Sequence, residues 1–440
     1  MTMLSPKKRQ EVLDALRRGT VPQDGLDVLA VGLDRFRAPI EQELRKASDG
    51  GFGFKAVRGE YGCGKTFFSR WLQQEARSMK FATAEVQISE TETPLHKLET
   101  VYRRMLESMA TSSMRSGAFR SIIDSWFFAL EEDVLSTGEV DASSEQALLK
   151  ATSDLMEKRL SSISRKAPSF AAALRAYREC LAEGDAAMAE GLIAWLSGQP
   201  NVASSVKRRA NIKGDVDHFT ALSFLQGLLA VLKDSGHTGL VLVLDEVETL
   251  QRVRSDIREK ALNALRQLID ELDAGRFPGL YLVITGTPSF YDGPQGLKKL
   301  PPLAQRLQTD FDTDSRFDNP RAPQIRLSPF NMDMMIEVGA KVRDIFADGS
   351  SCSDRVRQKA SDELIRSLAV GVSGSLGGKT GIAPRLFLKK LVSDLLDRIE
   401  LHEAFDPRKD YRLTVREEEL SMEERNFTAA DSVEDISLKL

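Results

Sequence analysis

The chain has 440 residues, of which 42% are hydrophobic and 29% charged, so it can bury more than one core and two or three domains are expected. Its formal net charge of -4 excludes a generally basic surface, and any contact with nucleic acid must come from a local patch. Three widely separated cysteines, Cys63, Cys180 and Cys352, exclude a disulfide framework or a cysteine-rich zinc site and favour a reducing cytoplasm. The strongest aliphatic run, residues 240–244, is too short to cross a bilayer, so neither a membrane span nor an export signal is expected.

The N-terminal residues show the spacing of amphipathic helices. Apolar side chains recur at helical intervals over residues 6–20 and 34–47, and a turn that contains proline and glycine joins the two segments. We therefore interpret residues 1–50 as an N-terminal helical collar.

Short apolar runs then alternate with longer helical patterns as far as residue 330. The helices with the clearest amphipathic pattern span residues 65–80 and 255–274. Such an alternation is typical of a doubly wound parallel sheet, and it predicts an α/β core over residues 51–330. The predicted strands are residues 52–57, 81–89, 240–248, 280–288 and 323–330.

Three further regions complete the predicted organisation. Helical periodicity after the second strand indicates a helical subdomain inserted at about residues 94–215. Residues 331–405 are predicted to form a C-terminal helical lid. Residues 406–440 are predicted to add a short strand and an acidic tail.

A phosphate-binding loop is the most specific motif in the sequence. Residues 59–66 read GEYGCGKT, which matches G-x-x-x-x-G-K-[ST], and they lie between a predicted strand and a predicted helix. Glycines permit a backbone turn whose N–H groups surround phosphate oxygens, Lys65 reaches the β- and γ-phosphates, and Thr66 ligates magnesium. The candidate nucleotide-binding residues are Gly59, Glu60, Tyr61, Gly62, Cys63, Gly64, Lys65, Thr66 and Phe67.

Two carboxylates end the longest aliphatic strand. Asp245 and Glu246 are expected at the carboxyl edge of the sheet, beside the phosphate loop. Asp245 is predicted to hold magnesium, and Glu246 is predicted to polarise the attacking water. Acidic pairs also begin ordinary solvated loops, and it is the phosphate loop that favours the catalytic interpretation.

Polar residues farther along the chain are weaker catalytic candidates. Thr285, at the end of the next strand, is predicted to orient the water or to sense the γ-phosphate, although Thr287 competes and either hydroxyl is compatible with a structural role. Arg306 is a candidate arginine finger for a neighbouring subunit, with Arg316 and Arg321 as alternatives and a surface salt bridge as the structural explanation.

The lid contributes one candidate and one false match. Residues 374–380, GSLGGKT, resemble a second phosphate loop, but Ser373 stands where the first glycine is required and a helical segment precedes it. The helix that begins near Ala383 and Pro384 places Arg385 where it can reach the γ-phosphate from the lid, unless it is a surface arginine.

Other polar clusters give little indication of chemistry. Lys207, Arg208 and Arg209 form the densest basic cluster, which fits either contact with a nucleic-acid backbone or a solvated loop without interleaved aromatic residues. The single histidines do not have the spacing of metal ligands, and no catalytic role is assigned to His96, His218, His237 and His402.

The motifs together resemble two nested families. The order GEYGCGKT, LVLVLDE, LVITGTP, PPLAQRL and IAPR, between about residues 25 and 400, resembles an AAA+ ATPase of the origin-recognition and initiator branch. More narrowly, residues 31–72, the helical insertion, GGKTGIAPRLFLKKLV and DPRKDYRLTV are similar to the ATP-binding protein of bacterial BREX phage-defence systems.

This resemblance implies an AAA+ P-loop core, a helical insertion and a C-terminal lid. It implies ATP and Mg²⁺ as cofactors, with Lys65 and Thr66 for nucleotide, Asp245 and Glu246 for magnesium and hydrolysis, and Arg385 as the lid arginine. It also implies defence partners and action on or near DNA. Our hypothesis is an ATP-driven conformational switch or motor that associates with itself or with a partner protein; the alternatives are a stand-alone DNA-loading or transposition-type ATPase and a nucleotide-gated scaffold with little hydrolysis.

Overall fold

A computed structural model describes residues 4–137, 145–375, 384–415 and 417–420. Within these residues, five strands form one parallel sheet in the order β2-β3-β4-β1-β5. The strands are β1 (Gly53–Arg58), β2 (Ala82–Gln87), β3 (Leu240–Asp245), β4 (Leu280–Gly286) and β5 (Gln324–Arg326). The predicted α/β class and the parallel sheet are confirmed.

Helices account for most of the remaining chain. The α-helices that precede β3 in the chain are α1 (Pro6–Arg17), α2 (Asp34–Ser48), α3 (Lys65–Ser78), α4 (Leu98–Ser108), α5 (Phe119–Ser136), α6 (Glu145–Ser164), α7 (Pro168–Glu183), α8 (Ala186–Leu196), α9 (Ser204–Arg209) and α10 (His218–Asp234). Those that follow β3 are α11 (Ser255–Asp273), α12 (Pro288–Asp292), α13 (Pro301–Arg306), α14 (Met332–Ala347), α15 (Ser353–Lys359), α16 (Asp362–Ser375), α17 (Pro384–Lys389), α18 (Asp397–Leu401) and α19 (Pro407–Asp410). A π-helical segment, Lys390–Leu396, joins α17 to α18 without a break.

The two faces of the sheet bury different sets of helices. Because side chains alternate along a strand, Leu242 and Leu244 of β3 face the insertion helices while Val241 and Val243 face α2 and α3. All residues of β3 and β4 are buried, as expected for central parallel strands covered on both faces. The helices of the predicted insertion share one hydrophobic core with the sheet, since Trp126, Leu174 and Trp195 belong to the same cluster as Leu242.

The two N-terminal helices pack into different cores. Helix α2 packs on the sheet beside α3, whereas α1 packs among the C-terminal helices α14 to α18. Arg17, at the end of α1, donates to both carboxylate oxygens of Asp397 at 2.9 and 2.7 Å. The segment between α1 and α2, residues 18–33, therefore connects the C-terminal helices to the sheet; we call it the N-terminal strap.

The predicted C-terminal strand is wrong. Residues 407–410 form the short helix α19, and residues 411–415 form no strand of the sheet. The apolar side chains of this segment, Tyr411, Leu413 and Val415, pack against the C-terminal helical core. Most of the predicted acidic tail, residues 416 and 421–440, lies outside the described residues.

No helix in the part of the chain that the structure describes combines the length and apolar character that a bilayer span requires.

A buried ion pair offers a test of how α2 is held on the sheet. Lys55 of β1 is 1% exposed, and its Nζ donates to Glu43 Oε1 at 2.7 Å, while the Tyr281 hydroxyl donates to Glu43 Oε2 at 2.6 Å. Glu43→Ala leaves the Lys55 charge buried without its carboxylate, and we expect a loss of about 3 kcal/mol in the free energy of unfolding. Urea denaturation followed by circular dichroism measures this loss in the free energy of unfolding.

The control is Glu41→Ala, on the same helix, which removes only a surface pair with Arg45 and should cost about 0.5 kcal/mol or less. Equal losses in the two variants would contradict the assignment.

Candidate functional site

The loop between β1 and α3 has the backbone of an anion cradle. Gly62 and Gly64 have φ of 80° and 94°, in the left-handed region that glycine adopts without strain. A Cβ atom at Gly59 would overlap the Sγ of Cys63, so this position also requires glycine. The loop therefore turns directly into the N-terminus of α3, a combination of glycine turn and helix dipole that favours phosphate.

Lys65 is the first residue of α3 and is 9% exposed. Its Nζ donates to the backbone oxygens of Gly59 at 2.9 Å and Glu60 at 3.2 Å, and it lies 5.0 Å from the centroid of the Tyr61 ring. The ammonium group is thus folded back onto its own loop. Phe67, two residues later, packs against both the sheet core and the C-terminal helical core.

Cys63, inside the loop, is 5% exposed, and burial raises the pKa of its thiol. A raised pKa keeps the thiol protonated at neutral pH and therefore unreactive, which agrees with a small structural residue rather than a redox switch.

The sheet register brings Asp245 and Thr285 level with each other. Strand β4 lies between β1 and β3, with Leu244 opposite Ile284 and Val57 opposite Thr285. The Thr285 hydroxyl donates to Asp245 Oδ1, and the other oxygen, Oδ2, lies 3.4 Å from Thr66 Oγ1. The carboxylate therefore bridges the end of β4 and the first turn of α3.

Glu246 has an unusual backbone conformation. Its φ of 59° and ψ of 42° place a non-glycine residue in the left-handed region, which costs conformational energy and often marks a functional position. Its N–H donates to Asp245 Oδ1 at 3.1 Å and to Thr285 Oγ1 at 3.2 Å. Its carboxylate accepts a hydrogen bond from Gln87 Nε2 at 2.9 Å, at the end of the neighbouring strand β2.

Sequence reasoning missed a third carboxylate, that of Glu248. It lies in the 3₁₀ turn Val247–Gln251, is 4% exposed, and its Oε1 is 4.0 Å from Lys65 Nζ. Neither of its oxygens accepts a hydrogen bond from the described residues. Burial raises the pKa of Glu248 to about 7, and the nearby positive charge of Lys65 only partly opposes this rise. The available sequence signal for a buried carboxylate was a glutamate between two apolar residues, Val247 and Leu250, both of which are buried.

These residues open into one cavity of about 700 Å³. A volume of this size suits a ligand as large as a nucleotide. The phosphate loop and the carboxylates Asp245, Glu246 and Glu248 form one part of the lining, and the rest comes from the end of α1, the N-terminal strap, the start of α2, the segments flanking β5 and the C-terminal helices. This second part is mainly apolar: Leu16, Leu29, Val31, Phe330, Met334, Val338 and Leu388.

The candidate arginines divide into those that reach the cavity and those that do not. Arg385 lines the cavity, and its Nη2 donates to the backbone oxygen of Glu419 at 2.7 Å. Arg316 also lines it, with a side chain that is 78% exposed and paired with Asp314. Arg306 lies outside the described cavity wall and forms an ion pair with Asp270.

The remaining sequence candidates lie away from the cavity. Thr287 is buried, and its hydroxyl is 2.9 Å from the hydroxyl of Ser289. Arg321 is exposed in the segment before β5. Ser373 is buried in α16, which confirms that a helix precedes the glycine-rich segment, whereas residues 376–380 and Ala383 lie outside the described residues.

The basic cluster is partly neutralised by its own surroundings. Lys207 Nζ lies 2.6 Å from Asp215, and Arg209 pairs with Glu183 at 2.7 Å and with Glu179 at 3.3 Å. Arg208 is exposed. Among the described residues, no group of three or more His, Cys, Asp or Glu side chains is arranged to hold a metal ion.

Comparison with known families gives one match. The family described as BREX system ATP-binding protein BrxC/D matches residues 4–415, a range that includes the phosphate loop, the three carboxylates and the C-terminal helices. A search of curated proteins found no match to the chain.

The raised pKa of Glu248 predicts a pH-dependent stability. A carboxyl group whose pKa rises on folding stabilises the folded chain below its unfolded value, 4.5, and loses that contribution as the pH rises through about 7. At pH 8, Glu248→Gln removes the cost of this buried charge and should stabilise the protein by about 2–3 kcal/mol; at pH 4.5 it should have little effect. Thermal unfolding at the two pH values measures the difference. Glu259→Gln, at an exposed position of α11, serves as control, and a pH-independent effect of Glu248→Gln would contradict the prediction.

Proposed function

The chain belongs to the family of BREX system ATP-binding proteins, and we propose that it binds ATP with Mg²⁺ in the cavity above its phosphate loop and hydrolyses it. Family membership gives the chain a role in a BREX defence system and a capacity to bind ATP. The observation that carries the rest of the proposal is the convergence of Lys65, Thr66, Asp245 and Glu246 at one edge of the sheet.

Phosphate binding is supported by the loop and by the position of its lysine. The glycine turn at Gly62 and Gly64 leads directly into the N-terminus of α3, where unpaired N–H groups and the helix dipole favour negative charge. Lys65 would leave its two backbone acceptors and place its ammonium group on the β- and γ-phosphates. The apolar wall formed by the strap and the C-terminal helices suits the base.

The donor set fits a magnesium ion bound together with the phosphates. Thr66 Oγ1 and Asp245 Oδ2 are hard oxygen ligands 3.4 Å apart, a separation that an ion or its bound water can bridge. When bound, Mg²⁺ would neutralise charge on the β- and γ-phosphates. Thr285 holds the other Asp245 oxygen and so fixes the direction in which this carboxylate presents Oδ2.

Glu246 is the proposed base that polarises the attacking water. Its backbone is held by Asp245 and Thr285, and its strained conformation turns the chain away from β3 at the carboxyl end of the strand. The proposal requires the Glu246 carboxylate to exchange its contact with Gln87 for a water molecule. Thr285 thereby acts on two residues, the proposed magnesium ligand and the proposed base, and we favour it over Thr287.

The C-terminal helices are proposed to act as a lid of the AAA+ type. Arg385 lies in the cavity wall at the start of α17, where it can contact the γ-phosphate when ATP is bound. Arg306 does not line this cavity and is proposed as a finger for a neighbouring subunit, with Arg316 as the alternative that already borders the site. ATP would then favour one assembly with itself or with another BREX component, and hydrolysis would release it, as in a conformational switch or motor.

One observation favours a second candidate, a nucleotide-gated scaffold with little hydrolysis. The Glu246 Oε2 accepts a hydrogen bond from Gln87 at 2.9 Å, so this oxygen of the proposed base is engaged by protein in this conformation. Direct action on DNA through Lys207, Arg208 and Arg209 remains an alternative, although two of these three side chains are paired with carboxylates.

Replacement of the loop lysine tests nucleotide binding. We expect Lys65→Ala to weaken ATP binding at least tenfold, because the phosphates lose a charge-assisted partner in a cavity of low dielectric constant. Isothermal titration with Mg-ATP measures the change. Lys298→Ala, at an exposed position, should bind as the wild type does, and unchanged binding by Lys65→Ala would refute the site.

Replacement of the proposed base tests hydrolysis. Glu246→Gln should retain ATP binding but lose turnover by a factor of about 10² or more, because the amide cannot accept the proton of the water. Phosphate release should be measured across protein concentrations, with and without double-stranded DNA. A steep rise of wild-type turnover with concentration would support a shared site, and stimulation by DNA would support direct action on it. Negligible wild-type turnover in every condition, with ATP still bound, would favour the scaffold; Glu259→Gln is the matched control.

A further inference from the structure

Glu248 needs an explanation that the proposed hydrolysis does not supply. Buried carboxylates are normally paired or hydrogen-bonded, because removing a charge from water is costly. Glu248 is 4% exposed and borders the phosphate cavity, yet neither of its oxygens accepts a hydrogen bond from the described residues. Such an arrangement is retained at a cost in stability, which is typical of groups with a functional role.

The nearest cation is the lysine of the phosphate loop. Glu248 Oε1 lies 4.0 Å from Lys65 Nζ, while the same ammonium group donates to the backbone oxygens of Gly59 and Glu60. The two backbone acceptors and the Tyr61 ring belong to the phosphate loop itself, and the Glu248 carboxylate lies beside them as an ion-pair partner. The ammonium group therefore has a complete alternative set of partners that does not include phosphate.

The other two carboxylates of the site are already engaged. Asp245 accepts from Thr285 and from the N–H of Glu246, and the Glu246 carboxylate accepts from Gln87. Glu248 is the carboxylate of the cavity whose nearest charged partner is Lys65. Its position on a turn that follows β3 directly also ties it to the strand that carries Asp245.

We propose that Glu248 is a positioning residue that draws Lys65 back from the nucleotide phosphates and so speeds nucleotide release. The inference rests on the proposed function, because it assumes that Lys65 moves between the loop and the phosphates. Two effects act in the same direction: Glu248 stabilises the withdrawn lysine, and its negative charge repels the bound phosphates across a cavity in which charges are poorly screened. Both raise the free energy of the bound state relative to the free state.

Removal of the charge should therefore slow release. A fluorescent ADP analogue is bound to the full-length protein in the presence of Mg²⁺ and displaced with excess unlabelled ADP, and the dissociation rate is recorded by stopped flow. We expect Glu248→Gln to dissociate about tenfold more slowly than the wild type, with little change in the association rate. Circular dichroism and thermal unfolding confirm that the variant is folded.

Two further variants test whether the slower release is caused by loss of the charge at position 248. Glu248→Leu also lacks the charge but cannot donate a hydrogen bond to phosphate, so it should slow release as well; slowing by Glu248→Gln alone would overturn the proposal. Glu75→Gln is the matched control, because Glu75 is a partly buried glutamate of α3 whose pKa is also raised to about 7 by burial, but it pairs with Arg37 away from the loop. It should release nucleotide at the wild-type rate.

The outcomes separate this inference from the proposed function. A wild-type protein that does not bind the analogue contradicts the proposed function itself. A wild-type protein that binds it, with folded Glu248 variants that release it equally fast or faster, overturns only the role of Glu248.

Discussion

The Asp245 carboxylate links strand β4 to the first turn of α3, and the candidate site depends on this link. One oxygen accepts a hydrogen bond from Thr285 on β4, and the other lies 3.4 Å from Thr66 in the first turn of α3. This contact is possible because parallel strands deliver their carboxyl ends to one edge, where β4 separates the strand before the phosphate loop from the strand that ends in Asp245. The same edge positions Glu246 and Glu248, so the chemistry of the cavity follows from the sheet register.

The cavity also depends on how the N-terminal helices pack against the sheet and against the C-terminal helices. Helix α1 belongs to the C-terminal helical core and α2 to the sheet core, and the N-terminal strap between them lines the cavity together with the phosphate loop. Phe67, immediately after Thr66, packs against both cores. A ligand that fills the cavity therefore contacts the sheet edge, the strap and the C-terminal helices together, which gives ATP a physical means of changing their relative stability.

Much of this arrangement could be predicted from the sequence, because its signals are local. The loop from Gly59 to Thr66, the aliphatic strand before Asp245 and the alternation of strands with helices are each readable within a few residues. The role of Glu248 could not be read in this way, since its burial and its proximity to Lys65 arise from the packing of a turn against distant elements. The strand predicted after residue 405 fails for the same reason: the apolar side chains of Tyr411, Leu413 and Val415 pack against helices, a contact that depends on distant parts of the chain. Likewise, only the three-dimensional structure separates Arg385 and Arg316, which border the cavity, from Arg306, which does not.

Hydrogen exchange of the backbone amides with and without Mg-ATP tests most directly whether one nucleotide contacts all three walls of the cavity. Three segments should gain protection together: the phosphate loop at residues 59–66, the N-terminal strap at residues 18–33, and the start of α17 around Arg385. Protection limited to the phosphate loop would contradict the role assigned to the strap and the C-terminal helices. The absence of any change at saturating nucleotide would contradict the site itself.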